Sequence, residues 1–214
     1  MKKDLTELVF ILDRSGSMSG LESDTIGGFN SFIEKQKEVD GECLVSTVLF
    51  NQRSIVIHDR VSLKEIEKMT RSDYLASGTT ALIDAMGDAI HHIRNVHRYI
   101  RKEDVPEQTI FIIITDGLEN ASTRYSSDEV KKMVSRQKEE GWEFLFLGAN
   151  IDAVETAKRY GIDEDRSVDF VCDEKGVGNN FECLGRAVKS ARVSKQMDCD
   201  WSESIRNDYK ERKK

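Results

Sequence analysis

Residues 8–18 read LVFILDRSGSM. Five apolar residues run unbroken into Asp13, and Ser15 and Ser17 follow at once. A continuous apolar run marks a strand buried on both faces. Such a strand belongs to a mainly parallel sheet with helices on either side, so this stretch decides the fold class as α/β. Its polar end raises a chemical question. Asp13, Ser15 and Ser17 are small oxygen donors that suit either a turn capping a helix or a cage for a hard metal ion.

Working outward, strand-like and helix-like runs alternate. Leu21, Ile26, Phe29, Phe32, Ile33 and Val39 place a helix within 19–39. CLVSTVLF (43–50) and SIVIHDRV (54–61) form a hairpin across Asn51-Gln52-Arg53, the antiparallel part of the sheet. Ser62 and Glu65 have the spacing of a capping box for a short helix, SLKEIEKM. Residues 81–100 form a long helix with Leu82, Ile83, Met86, Ala89, Ile90, Ile93, Val96 and Ile100 on its apolar face. TIFIIIT (109–115), the most apolar strand, is placed at the centre. Ser126 and Glu129 cap a helix over 127–140, EFLFLGA (143–149) is a strand, and Asp152 and Glu155 cap a helix ending near Gly161. SVDFVC (167–172) is a last strand, Gly176-Val177-Gly178 a loop, and Asn180 the cap of a helix to about Val193. In the first helix, Gly27-Gly28 suggests close helix–sheet packing. Trp201, Ile205 and Tyr209 sit at helical spacing in a charged C-terminal tail. The expected architecture is an α/β/α sandwich with a mostly parallel sheet of about six strands and one antiparallel edge strand.

In such a sheet ligands bind beyond the carboxyl ends of the strands, at a switch in strand order. Three oxygen-rich segments follow that rule to one edge: Asp13-Arg14-Ser15-Gly16-Ser17, Ser77-Gly78-Thr79-Thr80 and Asp116-Gly117-Leu118-Glu119-Asn120. Asp13, Ser15, Ser17, Thr80 and Asp116 form the candidate site. Two carboxylates and three hydroxyls suit magnesium, manganese or calcium rather than zinc or copper. With so few charged donors, positive charge still faces outward, and a partner carboxylate can complete the shell. The bland alternative is a set of polar turns in which Ser17 or Ser19 and Thr80 cap helices. Glu119 and Asn120 read as a solvated loop, and His58, His91, His92 and His97 take no metal role.

DRSGSM, SGTTALIDAM and IIITDG together resemble the three parts of the metal-ion-dependent adhesion site of von Willebrand factor A domains. By that resemblance Asp13, Ser15 and Ser17 are ligands from the first loop, Thr80 (with Thr79 as its neighbouring alternative) from the second, and Asp116 from the third. The resemblance covers roughly residues 7–172 in order of elements, with motif identity confined to the three loops. It implies a Rossmann-like sandwich over 1–195, with 196–214 as a charged helical tail. It also implies binding rather than catalysis: a protein partner presents an acidic residue that ligates the ion, Mg2+ or else Mn2+ or Ca2+. Intracellular bacterial and archaeal-looking members of the family often work beside AAA+ ATPases.

The rest of the chain sets limits. It has 214 residues and a net charge of −7, which does not suggest a nucleic-acid surface. No apolar run approaches the roughly 20 residues of a membrane span. The apolar stretch near the N-terminus is shorter than a signal-peptide core and follows Asp4 and Glu7, so a cytoplasmic protein is expected. Cys43, Cys172, Cys183 and Cys199 lie far apart, as free thiols do. A magnesium-dependent phosphohydrolase is the competing reading, since an aspartate ending the first parallel strand is where such enzymes carry a nucleophile. They need a second acid two residues later as general acid, and Ser15 stands there. A nucleotide-binding fold lacks its glycine fingerprints.

Overall fold

The structure is a computed structural model and describes residues 1–213. Six strands form one sheet: β1 (Lys2–Asp13), β2 (Glu42–Phe50), β3 (Ser54–Ser62), β4 (Pro106–Thr115), β5 (Glu143–Gly148) and β6 (Ser167–Asp169). Their order is β3-β2-β1-β4-β5-β6. The β2/β3 hairpin is antiparallel and puts β3 on one edge, and every other pairing is parallel. Among the described residues six α-helices surround the sheet: α1 (Glu22–Lys37), α2 (Leu82–Tyr99), α3 (Ser127–Glu139), α4 (Ala153–Arg159), α5 (Glu174–Ser194) and α6 (Glu203–Arg212).

Side chains alternate across a strand, and here both faces are apolar. Leu8, Phe10 and Leu12 point into a core shared with α1, α5 and α6, while Val9 and Ile11 point into one shared with α2, α3 and α4. Phe10 meets Phe29 and Phe32 edge to face at 5.3 and 5.1 Å, the arrangement that the ring quadrupole favours. Glu7 stands just before the apolar run of β1. It is fully buried, and its carboxylate accepts from Arg60 Nε and His97 Nε2, each at 2.5 Å.

Several elements differ from the sequence reading. Ser62 caps no helix: a single tight turn, Leu63–Glu65, is followed by irregular chain. Gly176-Val177-Gly178 is helix rather than loop, Asp173 is the cap of α5, and Asn180 lies buried inside that helix. A Cβ on Gly176 would lie 1.8 Å from the Val171 carbonyl oxygen, so the helix can start against the segment after β6 only with glycine there. Gly28 serves helix–helix packing instead of helix–sheet packing, because a Cβ there would enter the Phe181 ring of α5. The last strand stops at Asp169.

The tail is docked. Trp201 and Ile205 are buried, and Trp201 Nε1 donates to the Asp165 carbonyl at 2.9 Å. Arg206 donates to the Glu164 and Ser167 carbonyls, both at 3.1 Å. Lys175 pairs with Asp208, and Arg212 with Asp173, tying α6 to the start of α5. Lys214, the last residue of the expected tail, lies outside the described residues. Among the described residues no helix is long and apolar enough to cross a membrane.

Candidate metal centre

Asp13 ends β1 and Thr115 ends β4, and the register pairs Leu12 with Ile114. From this central pair the strand order runs outward in both directions, to β2 and β3 on one side and to β5 and β6 on the other. That is a switch point, where the loops diverge and leave a crevice beyond the carboxyl ends. The three oxygen-rich segments meet there.

Asp13 is 1% exposed, and both of its carboxylate oxygens are engaged. Oδ1 accepts from the Ser15 N–H and Oδ2 from Thr115 Oγ1, each at 2.7 Å. The Ser15 and Ser17 hydroxyls lie 3.0 Å apart, and Ser17 Oγ donates to Asp116 Oδ1 at 2.5 Å. Gly117 follows Asp116, and a Cβ built there would stand 3.3 Å from Thr80 Oγ1 and 3.4 Å from Ser17 Oγ. The bare glycine therefore keeps a space between the second-loop and first-loop hydroxyls. All five candidate residues occupy one place. Ser17 and Gly16 are exposed, so the cradle opens to solvent, whereas Asp13, Ser15, Thr80 and Asp116 are buried.

Backbone contacts hold the first two loops together. Gly16 N–H donates to the Gly78 carbonyl at 3.0 Å, Ser77 N–H to the Arg14 carbonyl at 2.9 Å, and the Tyr74 hydroxyl to the Asp13 carbonyl. Gly78 has φ +77°, and a side chain there would meet Gln52 Oε1, so the turn needs glycine.

The third loop is clipped to the second by Glu119 and Asn120, which by sequence alone read as a solvated loop. Asn120 Oδ1 accepts the Thr80 N–H at 3.0 Å, and the Asn120 and Ala121 N–H groups donate to the Thr80 carbonyl at 3.0 and 3.2 Å. Glu119 accepts from the Ile83 N–H at 2.8 Å, in the first turn of α2, and from the Ala121 and Ser122 N–H groups at 2.9 and 2.7 Å. A carboxylate at a helix start satisfies free donors and complements the dipole. Asp84 of α2 takes the next three N–H groups, of Thr123, Arg124 and Tyr125, at 2.9–3.0 Å.

Cys172 was also missed. Its thiol lies 3.6 Å from Asp116 Oδ2, and burial followed by the Asp116 charge pushes its pKa up to about 12. Its strand is irregular beyond Asp169, so only the fold brings it to the cradle. The single available signal was its position at the carboxyl end of the last strand.

Burial raises the pKa of both Asp13 and Asp116, and Asp116 adds to the rise at Asp13. Neither carboxylate has a lysine, arginine or histidine partner among the described residues. Buried carboxylates are normally paired, hydrogen-bonded or metal-bound. Glu7 has a guanidinium and an imidazole, Asp84 has three N–H groups and Arg124, but the cradle pair has only hydroxyls, a thiol and one N–H. An all-oxygen donor set with uncompensated negative charge and one open side fits a hard divalent cation.

No protein-family model matches the chain, and no curated protein matches it in sequence. Solved structures do match. The vWF domain of the type V pili tip protein Mfa5 from Porphyromonas gingivalis has a TM-score of 0.63 at 11% identity, over 90% of this chain and 97% of that one. Manganese-loaded Plasmodium vivax TRAP protein has a TM-score of 0.59 at 18% identity, over 85% and 74%. Proximal thread matrix protein 1 from the mussel byssus, with a zinc-occupied MIDAS motif, has a TM-score of 0.59 at 15% identity, over 86% and 46%. The chain thus spans about half the length of the mussel protein. At these identities the likeness shows the fold, which is that of a von Willebrand factor A domain.

Proposed function

We propose that this chain is a metal-dependent protein-binding domain in which Asp13, Ser15, Ser17, Thr80 and Asp116 hold a divalent cation and a partner carboxylate completes its shell. Magnesium is the expected ion, with manganese or calcium as its chemical alternatives. The observation that carries this reading is the pair of buried carboxylates that have no cationic partner among the described residues, beneath an open mouth. When bound, the ion supplies the missing positive charge and an outward coordination position. The protein's own part is positional: Thr115 and the Ser15 N–H hold Asp13, Ser17 links the first and third loops, and Asn120 holds Thr80.

Two solved neighbours, one manganese-loaded and one with a zinc-occupied MIDAS motif, support a divalent cation without choosing magnesium. The further parts of the proposal are expectations from the sequence alone: a domain over 1–195 with its tail at 196–214, a cytoplasmic setting and, from the family resemblance, work beside an AAA+ ATPase. The phosphohydrolase reading is not favoured. Ser15 stands where that chemistry needs a general acid, and its hydroxyl lies against Ser17.

The test has two arms. Immobilised protein should retain a partner from a native extract in magnesium and release it in chelator. The same protein in magnesium should liberate no phosphate from a broad panel of phosphate esters. Retention indifferent to chelator, or metal-dependent ester hydrolysis, would sink the proposal.

A further inference from the structure

The opposite edge of the sheet, at the amino ends of β1, β4 and β5, holds a cavity that the metal reading leaves unused. Its volume is about 690 Å³, a size that suits a small molecule. Arg94, His97 and Arg98 line it from α2, Arg136 from α3, and Trp142 from the residue before β5. Residues three and four apart share one face of a helix, so the three residues of α2 form a single stripe along the cavity.

One wall is aromatic and held in place. The His97 and Trp142 rings meet edge to face at 5.3 Å, and Phe111 stacks on Trp142 at 5.3 Å. His97 Nε2 bonds the buried Glu7 carboxylate, which Arg60 also holds. That bond orients the imidazole.

The charged groups are not matched in pairs. Arg94 is half-buried, and neither it nor Arg98 pairs with a carboxylate among the described residues; Arg98 lies over the Tyr99 ring at 5.7 Å. Arg136 reaches Glu140 at 3.7 Å. The other acidic lining residue, Glu107, accepts the Asp4 N–H at 3.0 Å and faces Lys195 at 3.3 Å, and Lys195 also meets Asp4. In the turn between α2 and β4, Arg101 pairs with Glu103 and Asp104. His97 and Arg98 lie in the last turn of α2, where cations offset the helix dipole. Arg94 stands a turn earlier, outside the reach of that explanation. The planar fork of a guanidinium binds carboxylate and phosphate through two parallel hydrogen bonds.

We propose that this cavity binds a small aromatic oxyanion, its acidic group held by Arg94 and Arg98 and its ring laid against Trp142 and His97. The acidic group is a carboxylate or a phosphate, which offer a guanidinium the same pair of oxygens. Arg136 adds attraction from the facing helix, offset in part by Glu140. The site is independent of the metal cradle, which lies beyond the other ends of the same central strands.

Four probes test it on the full chain, in chelator so that no metal takes part: phenyl phosphate, benzoate, inorganic phosphate and benzylamine. Titration calorimetry should show phenyl phosphate or benzoate binding about tenfold more tightly than inorganic phosphate, and no binding of benzylamine. The tighter of the two aromatic anions identifies the acidic group. The double variant Arg94→Gln, Arg98→Gln should weaken that binding by about tenfold or more. Binding should also change the tryptophan fluorescence. Trp142→Phe keeps a ring against Phe111, and it should remove the fluorescence change while binding heat remains. Absence of binding by both aromatic anions would overturn the inference. So would equal affinity for inorganic phosphate, benzylamine binding as tight as that of the anions, affinity unchanged in the arginine double variant, or a fluorescence change that survives Trp142→Phe.

Discussion

Asp13 and Glu7 lie on the same strand, both buried, and their negative charges are met differently. Glu7 has Arg60 and His97, while Asp13 has only hydrogen bonds from Thr115 and Ser15. An ion that binds the folded chain alone stabilises it, by about 2.7 kcal/mol at a hundred times the dissociation constant. Magnesium should therefore raise the melting temperature of the wild type, and Asp13→Ala should abolish the gain. In chelator Asp13→Ala should be as stable as the wild type or more so, because a buried charge has gone. Ser15→Ala should weaken the magnesium response without that compensation. Melting curves of the three proteins decide it, and an unchanged magnesium response in Asp13→Ala would return DRSGS to a polar turn. Asn120 acts at one remove. Its Oδ1 alone is used, as acceptor of the Thr80 N–H. Asn120→Ala should lower magnesium affinity about tenfold, within the range of residues that orient ligands. Asn120→Asp keeps the acceptor and should restore it, as titration calorimetry would show.

At the scale of elements, the third loop hangs on Asp84. Burial alone would raise the pKa of this group, but the N–H groups of Thr123, Tyr125 and Arg124 outweigh it and hold the carboxyl below its usual range. A depressed pKa means that the folded state binds the proton less well than the unfolded chain. The stabilisation is thus present above the ordinary carboxylate pKa, near about 4, and is lost as pH falls through the lower folded value. Asp84→Asn should cost about 2 kcal/mol at neutral pH. That deficit should close in acid, as denaturant titrations across pH would show. At the other end of the chain Trp201 is buried in the core on the α1, α5 and α6 side of the sheet and bonds the Asp165 carbonyl, and Trp201→Ala should cost about 3 kcal/mol. Elements governed by local chemistry were legible in the sequence. The Ser126–Glu129 capping box forms as read, and Asp152 accepts the Glu155 N–H. The same spacing at Ser62–Glu65 fails because Leu63, Ile66 and Met69 are all drawn into the core and Asn30 pins both polar groups of the Met69 backbone. The five cradle residues were legible from their types and order. Asn120 and Cys172 were not, because what they do depends on contacts with residues 40 and 56 positions away.

Across the whole molecule the four thiols are free and unequally sheltered: Cys43 and Cys183 are buried, Cys172 is half-buried and Cys199 is exposed. Alkylation of the native protein should label Cys199 first, with Cys43 and Cys183 reacting only after denaturation. Mass spectrometry of timed samples reads that order directly. The cradle has a different kind of dependence on the whole. Ser17 and Asp116 are 99 positions apart, and Asp13 and Thr115 are 102 apart. They meet only because β1 and β4 pair in parallel at the centre of the sheet, a closure of long range and slow to form. The cradle is therefore completed late on the folding route, after the central strands have paired and their loops have settled. Interactions absent from the transition state alter the rate of unfolding and not that of folding. Magnesium should lower the unfolding arm of the chevron and leave the refolding arm where it was, so that a loaded cradle works as a clasp on the native state and not as a nucleus for reaching it.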